Sequence, residues 1–170
     1  MVTLRSRLFA LGALAALLPL SLACDDADPL PDRNDDPDPI ADEPPPPVEV
    51  DDEALAETFG CDVAVVALDE EADGEFADAA CTLDDGRAVA YYAFGLDEAD
   101  TVTAEAGSAW FDTVLYLYDA EGALLAENDD LDWYDDNSRL VIELERGVYV
   151  AGVSAYDTTA AGTYRFMATR

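Results

Sequence analysis

The chain contains no histidine and no lysine, so all eight of its basic residues are arginine. Mechanisms that need an imidazole base, an ammonium group or a Schiff base are therefore excluded. Histidine is also the usual partner of cysteine in zinc sites, and two thiols without it make a poor zinc site. These absences remove much of the chemistry that exported hydrolases use.

Positive charge is scarce as well, because 39 acidic residues oppose eight basic ones and give a net charge of −31. The first 23 residues hold two of the arginines and no acidic residue, so the chain from Cys24 onward has 39 acidic and six basic side chains and a net charge of −33. Such a surface repels phosphate backbones and anionic lipids, which excludes nucleic acid as a partner and argues against electrostatic adsorption to membranes. Cations and basic proteins or peptides remain as partners.

Each catalytic motif that the sequence suggests lacks a residue or an environment that the chemistry requires. The segment Gly152-Val153-Ser154 is followed by Ala155 and Tyr156, so it lacks the second glycine of a nucleophile elbow. Asp112-Thr113 is not followed by the glycine of an aspartic protease. A glycosidase pair can be drawn among the many carboxylates, but no apolar setting is apparent that would raise the pKa of one of them. The sequence therefore predicts a protein that is not an enzyme, with a hydrolase as a distant alternative.

The amino terminus has the pattern of an export signal. Arg5 and Arg7 precede an apolar run over residues 8–22 that is short for a bilayer span. The run closes with Ser21-Leu22-Ala23-Cys24, which resembles the bacterial lipobox, whose cysteine is lipidated before cleavage. We predict a lipoprotein signal peptide over residues 1–23 and a membrane anchor on Cys24. This places the protein on the outer membrane or cell surface, with the periplasmic face as one alternative and an ordinary cleaved signal peptide as another.

The next segment has the composition of a disordered tether. Residues 25–50 hold eight aspartates and eight prolines and no aromatic residue. Such a segment cannot bury enough apolar surface to offset the entropy of ordering it, and charge repulsion and proline keep it extended to roughly 80 Å. We predict a tether over residues 24–58 and one domain over residues 59–170. Residues 51–59, which precede Gly60, have the pattern of a short capped helix.

The cysteines support this division. With Cys24 lipidated, Cys61 and Cys81 remain, and a cysteine pair in an exported protein usually forms a disulfide. Closing a loop of about twenty residues stabilises the fold by roughly 3 kcal/mol in the chain-entropy model. The alternative is a pair of free thiols.

From residue 62 onward the apolar residues alternate with polar ones in short runs separated by Gly, Asp and Asn. This pattern is typical of an all-β domain, and residues 69–80 lie between the runs as an irregular acidic segment. Seven or eight short strands indicate a small antiparallel β-sandwich of Greek-key or jelly-roll type. The predicted strands are 63–67, 88–94, 101–105, 113–118, 123–127, 139–145, 148–155 and 163–169.

Ordered markers within this domain resemble the bacterial pre-peptidase C-terminal domain. They are Tyr92-x-Phe94, Thr101-Val102-Thr103, Phe111-Asp112-Thr113-Val114-Leu115-Tyr116-Leu117-Tyr118-Asp119, Gly122, Glu127-Asn128-Asp129-Asp130, Asn137-Ser138-Arg139-Leu140, Gly147-Val148-Tyr149 and Gly162-Thr163-Tyr164. The resemblance implies a small antiparallel β-sandwich that usually accompanies secreted peptidases and assists export or substrate contact; some relatives bind collagen or calcium. The sequence shows no peptidase domain, so the resemblance implies the bare module or an accessory to a separately encoded peptidase.

Residues 128–137 are the richest cluster of hard oxygen ligands in the domain, and calcium favours such ligands. The candidate calcium ligands are Asp112, Asp129, Asp130 and Asp132. The run does not fit an EF-hand, because Trp133 stands where glycine is required and Arg139 where the last glutamate is required. The structural alternative is that these carboxylates accept backbone hydrogen bonds and hold the loop.

Four aromatic residues fall in predicted connections between strands and are candidates for a binding surface: Trp110, Trp133, Tyr134 and Tyr156. Because consecutive strands of a sandwich run in opposite directions, alternate connections emerge at the same end. We therefore expect these rings and the acidic loop to gather at one end and to bind a cation, a protein or a peptide. The alternatives are an inert acidic surface component and packing of the rings against the sandwich.

The anchor depends on one atom, the Cys24 sulfur, because the acidic tether offers no other affinity for a membrane. We predict that Cys24→Ser moves the protein from the detergent phase to the aqueous phase in a phase-partition assay of whole cells. Unchanged partitioning of the variant would rule out the anchor.

Overall fold

The computed structural model describes residues 44–76, 81–131 and 135–170. The predicted signal peptide, Cys24 and most of the predicted tether lie outside these residues. In the described part, one helix precedes a series of β-strands, and no helix is long and apolar enough to cross a membrane. The elements are α1 (Asp52–Phe59), β1 (Val63–Val65), β2 (Glu71–Phe76), β3 (Val89–Leu96), β4 (Asp100–Ser108), β5 (Thr113–Asp119), β6 (Leu124–Asn128), β7 (Ser138–Leu144), β8 (Gly147–Ala155) and β9 (Gly162–Thr169).

The strands form two sheets packed as a β-sandwich. One sheet has the order β1-β3-β8-β5-β6 and the other β2-β9-β4-β7. All neighbouring strands are antiparallel except β1 and β3, which are parallel. The predicted all-β sandwich is confirmed, and each of the eight predicted strands is present within a few residues of its expected bounds.

The core lies between the sheets and follows from the alternating pattern. On β9, Tyr164, Phe166 and Ala168 are buried, while Thr163 and Arg165 are exposed. The central strands are apolar on both faces, because the outer face of the five-stranded sheet is covered as well. Its cover includes α1, whose Leu55 is buried in a second apolar cluster.

The prediction of an irregular segment over residues 69–80 is wrong for β2. The sequence Glu-Ala-Asp-Gly-Glu-Phe has little strand propensity, yet Glu71–Phe76 pairs with β9 over six residues. Gly74 permits this pairing, because a Cβ atom there would overlap the ring of Tyr164 on the neighbouring strand. The strand count is therefore nine in the described residues rather than seven or eight.

The predicted helix is confirmed, with both of its caps. The Asp51 carboxylate accepts a hydrogen bond of 3.0 Å from the Ala54 N–H, and Gly60 ends the helix with a φ of 68°. The ring of Phe59 packs on the sheet, with its centroid 4.8 Å from that of Tyr91.

The chain ahead of α1 also lies on the domain. The Arg146 guanidinium donates to the Pro46 carbonyl and, over 3.1 Å, to the Asp97 carbonyl. The Val48 N–H donates to the Asp97 carboxylate over 2.6 Å, and the Val48 side chain packs on Gly95. The folded unit consequently begins at Pro45, upstream of the start at residue 59 that composition indicated.

The structure contains the predicted disulfide between Cys61 and Cys81, whose Cα atoms are 5.9 Å apart. Cys61 follows α1, and the Cys81 carbonyl accepts from the N–H of Val89 at the start of β3. The bridge therefore ties the segment that contains β1 and β2 to the five-stranded sheet.

We predict that reduction of this disulfide lowers the free energy of unfolding by roughly 3 kcal/mol, because the unfolded chain regains the freedom of a loop of about twenty residues. Urea unfolding of the chain with and without reductant measures the change. The double variant Cys61→Ser/Cys81→Ser is the control and should match the reduced protein in either condition. Equal stability of the oxidised and reduced chain would contradict a structural role for the bridge.

Candidate functional site

The connections between strands divide between two ends of the sandwich. The turns 97–99, 120–123 and 145–146 lie at one end, which we call the turn end. The connection 109–112, the described residues 129–131 and 135–137 of the next long connection, and the connection 156–161 lie at the other, which we call the loop end. Strand direction alone produces this division, as the sequence predicts.

Backbone hydrogen bonds join the three connections of the loop end. The Tyr156 N–H donates to the Asp112 carbonyl and the Thr113 N–H to the Asp136 carbonyl, each over 3.0 Å. Beneath them the hydroxyl groups of Thr113 and Ser138 lie 2.7 Å apart and are buried. The loop end is therefore one connected surface.

Trp110 is held from below while its indole faces solvent. The backbone N–H of Trp110 donates to the Ser108 hydroxyl over 3.0 Å, and that hydroxyl donates to the Thr163 carbonyl over 2.8 Å. Gly162 lies against the base of the side chain, since a Cβ atom at Gly162 would come within 2.8 Å of the Trp110 Cβ and Cγ atoms. Gly162 also has a φ of 132°, which glycine adopts readily. The indole is nevertheless 72% exposed.

Beside Trp110 lies a depression of about 380 Å³ lined by residues 108–112 and 135–137. We call it the acidic cup, because three of its lining residues are Asp112, Asp135 and Asp136. The cup is shallow and open to solvent. It brings carboxylates from two connections to the same exposed aromatic ring.

Among the described residues of the loop end, Asp112 is an acidic group whose pKa is raised. Burial raises the pKa of its carboxyl group, and the negative charges of Asp130, Asp136 and Asp129 raise that pKa further. Its Oδ1 atom is closed to solvent and has no hydrogen-bond partner among the described residues. The ionised form of the Asp112 carboxyl group is therefore destabilised in the folded protein. A cation in the cup would relieve the repulsion between Asp112 and its neighbours.

Within the described residues of this loop, Asn128 and Asp135 accept backbone hydrogen bonds through their side chains. The Asp135 carboxylate accepts from the backbone N–H and from the Nδ2 of Asn137, at 3.1 and 2.6 Å, and the side-chain Oδ1 of Asn128 accepts from the Asp130 N–H at 2.8 Å. These are Asx turns of the kind expected, made by Asp135 and Asn128.

Several predicted site residues lie outside the described part of the chain, namely Asp132, Trp133 and Tyr134. Asp112, Asp129 and Asp130 are close enough for the last two to raise the pKa of the first. Across the described ranges, no group of three or more acidic or cysteine side chains is placed to hold a metal ion. Calcium binding thus stays a prediction. Tyr156 lies at the loop end and is 63% exposed.

Sequence reasoning missed the residues that hold the site. Ser108, Asn137 and Gly162 support Trp110 and the cup through contacts with distant parts of the chain. Asn137 and Gly162 are markers of the family resemblance, which gave them no role at this surface. In the sequence, Gly162 and Asn137 stand out only as a glycine and a polar residue at the ends of strands.

No family model matches the chain, and no curated protein matches it. Two solved structures are similar to part of the chain. One is the pre-peptidase C-terminal domain of a collagenase from Bacillus anthracis, with 13% identity over 63% of this chain and 94% of that one and a TM-score of 0.46. The other is a periplasmic lysozyme inhibitor of g-type lysozyme from Aeromonas hydrophila, with 11% identity over 62% and 96% and a TM-score of 0.39.

We predict that Asp112→Asn stabilises the protein at neutral pH. Because the folded-state pKa of Asp112 is raised, its ionisation destabilises the folded chain, and this penalty is lost as the pH falls through that pKa. The variant should therefore melt at a higher temperature than the parent at pH 7, and the gap should close by the pH at which Asp112 is protonated in the unfolded chain too, below 3.8. Thermal melts of both proteins from pH 7 to 3 measure the gap, and a gap that widens on acidification would contradict this account.

Proposed function

We propose that the chain is an exported, lipid-anchored, non-catalytic binding module of the cell envelope, whose loop end takes a cationic side chain of a basic protein partner. The anchor is the predicted lipid on Cys24, and the binding surface is Trp110 together with the acidic cup.

The observation that carries this proposal is the exposed, supported indole of Trp110 beside the carboxylates of the cup. An aromatic face attracts a guanidinium or ammonium group by about 0.5–1 kcal/mol at exposed sites, and more where water is excluded. Because Trp110 is held by Ser108 and Gly162, little freedom is lost when a ligand packs on it. The surrounding negative charge increases the rate at which a basic partner arrives.

The position of the loop end also supports recognition of a partner. The chain enters the folded unit at the turn end, where Pro46 and Val48 contact Arg146 and Asp97. The last strand ends at the turn end as well, at Thr169. The loop end consequently lies at the opposite end of the sandwich from Pro46, Val48 and Thr169.

A raised carboxyl pKa is also what the acid of a glycosidase needs, so Asp112 bears on the hydrolase alternative. The cup is open to solvent, whereas one carboxylate oxygen of Asp112 is closed to solvent. A site that binds a cation accounts for the raised pKa of Asp112 equally well, and it does not need the second catalytic carboxylate of a glycosidase. The inert surface component remains the rival reading, and it differs in predicting no saturable ligand.

We predict that the mature chain carrying Cys24→Ser binds acetyl-hexa-arginine amide in isothermal titration at 50 mM salt, and that Trp110→Ala weakens binding about two- to fivefold, the size of an exposed cation–π contact. The control is Val141→Ala, which removes another exposed apolar side chain, 64% exposed, from the face of the second sheet. Equal losses in the two variants, or no binding at all, would contradict the proposal, and the latter would favour the inert component.

The charge of the cup has a matched test. Asp136→Asn and Glu143→Gln each remove one exposed carboxylate, but Glu143 lies on β7 toward the turn end. Binding should weaken in the first variant only. Millimolar calcium is a further arm: a rise in melting temperature that is lost in Asp129→Ala/Asp130→Ala would show that the loop end takes a metal ion instead.

A further inference from the structure

We propose that a furrow on the outer face of the sheet β2-β9-β4-β7 holds the extended main chain of the partner, so that the ligand is a polypeptide with an arginine or lysine side chain in the acidic cup. This inference rests on the proposed function and names the class of partner.

The furrow consists of two depressions that continue from the cup. One, of about 340 Å³, shares Ser108, Ala109 and Asn137 with the cup. The next, of about 350 Å³, shares Gly107, Asn137 and Arg165 with the first. We call the two together the sheet furrow. A ligand that fills the cup can therefore continue past Asn137 onto the sheet.

The wall and floor between cup and furrow are fixed in place. The Asn137 side chain accepts from the Ser108 N–H over 2.9 Å and donates to Asp135, so both ends of its amide are held. Gly107 forms the floor, and a Cβ atom there would lie 2.9 Å from the Asn137 Oδ1 atom. The absence of a side chain at Gly107 thus lets the Asn137 side chain lie close against the floor.

The length of the furrow suits an extended peptide. It follows β9 from Thr163, which lines the first depression, to Met167, which lines the second. At about 3.3 Å per residue these four steps span roughly 13 Å, the length of four residues of extended chain. A single amino acid or a metal ion would fill the cup and leave the furrow empty.

The chemistry of the furrow differs from that of the rest of the surface. Two ion pairs, Arg165 with Glu71 and Arg139 with Glu105, bring two of the chain's few guanidinium groups to it. Both pairs are substantially exposed, so they are weak and their members can exchange partners with a ligand. Half-buried Met167 adds an apolar contact. An extended peptide supplies hydrogen-bond donors, acceptors and charged side chains of either sign along the length of the furrow. A neutral polysaccharide, by contrast, has no cation to place in the cup.

The test compares two probes on the mature chain carrying Cys24→Ser. Argininamide reaches only the cup. A pool of acetylated, amidated nonapeptides with arginine at the centre and all other positions mixed reaches the furrow too. We expect the best members of the pool to bind at least about tenfold more tightly than argininamide, with selection confined to the four positions on one side of the arginine.

Met167→Trp should fill the furrow. It should remove the tighter binding of the peptide pool and leave the affinity for argininamide unchanged. Val141→Trp places the same ring on the face of the same sheet outside the furrow and should change neither affinity. A pool no tighter than argininamide, or a gain that survives Met167→Trp, would overturn the furrow and leave the cup intact. If neither argininamide nor the peptide pool binds, both proposals are overturned.

Neutral oligosaccharides of glucose and of N-acetylglucosamine are the third arm. Binding of either that is weakened by Met167→Trp would show that the furrow serves a sugar chain, and would overturn the polypeptide.

Discussion

Packing of aromatic rings between the two sheets is the interaction on which the rest of the structure depends. The ring of Tyr92 in one sheet stacks on that of Phe166 in the other at 4.9 Å between centroids, and the Tyr92 hydroxyl lies 3.0 Å from the hydroxyl of Tyr164 in that other sheet. Burial of such rings supplies the apolar area that a chain of net charge −31 needs to overcome its own repulsion. Once the sheets are stacked, the connections can leave only at the two ends.

The arrangement of the ends follows from this stacking. Tight turns and the incoming chain occupy the turn end, where Arg146 bonds the backbone of both. The longer connections gather at the loop end, where burial of the Asp112 carboxyl group and then repulsion from the neighbouring carboxylates raise its pKa. Repulsion of this kind reduces the stability of the free domain. It is also what a cationic partner would relieve, which links the energetics of the fold to the proposed function.

Much of this architecture could be predicted from periodicity. On β7, Leu140 and Leu144 are buried and Arg139 is exposed, as alternation indicates. Local signals were enough for α1, because Asp51 and Gly60 cap it through bonds within a few residues. Strand counting also placed Trp110 and Asp112 at one end with Tyr156, since direction alternates whatever the order of strands in the sheets.

The sequence by itself determined the charge, the missing chemistry, the capped helix, the eight alternating strands and the pairing of Cys61 with Cys81, because each depends on composition or on short-range order. Only the tertiary structure decided that Glu71–Phe76 is a strand, since its partner β9 lies some 90 residues away in the chain. The same holds for the support of Trp110, which depends on Gly162, and for Asn137 as the wall between cup and furrow. Contacts between residues far apart in sequence leave no periodic signal, so packing alone brings these groups together.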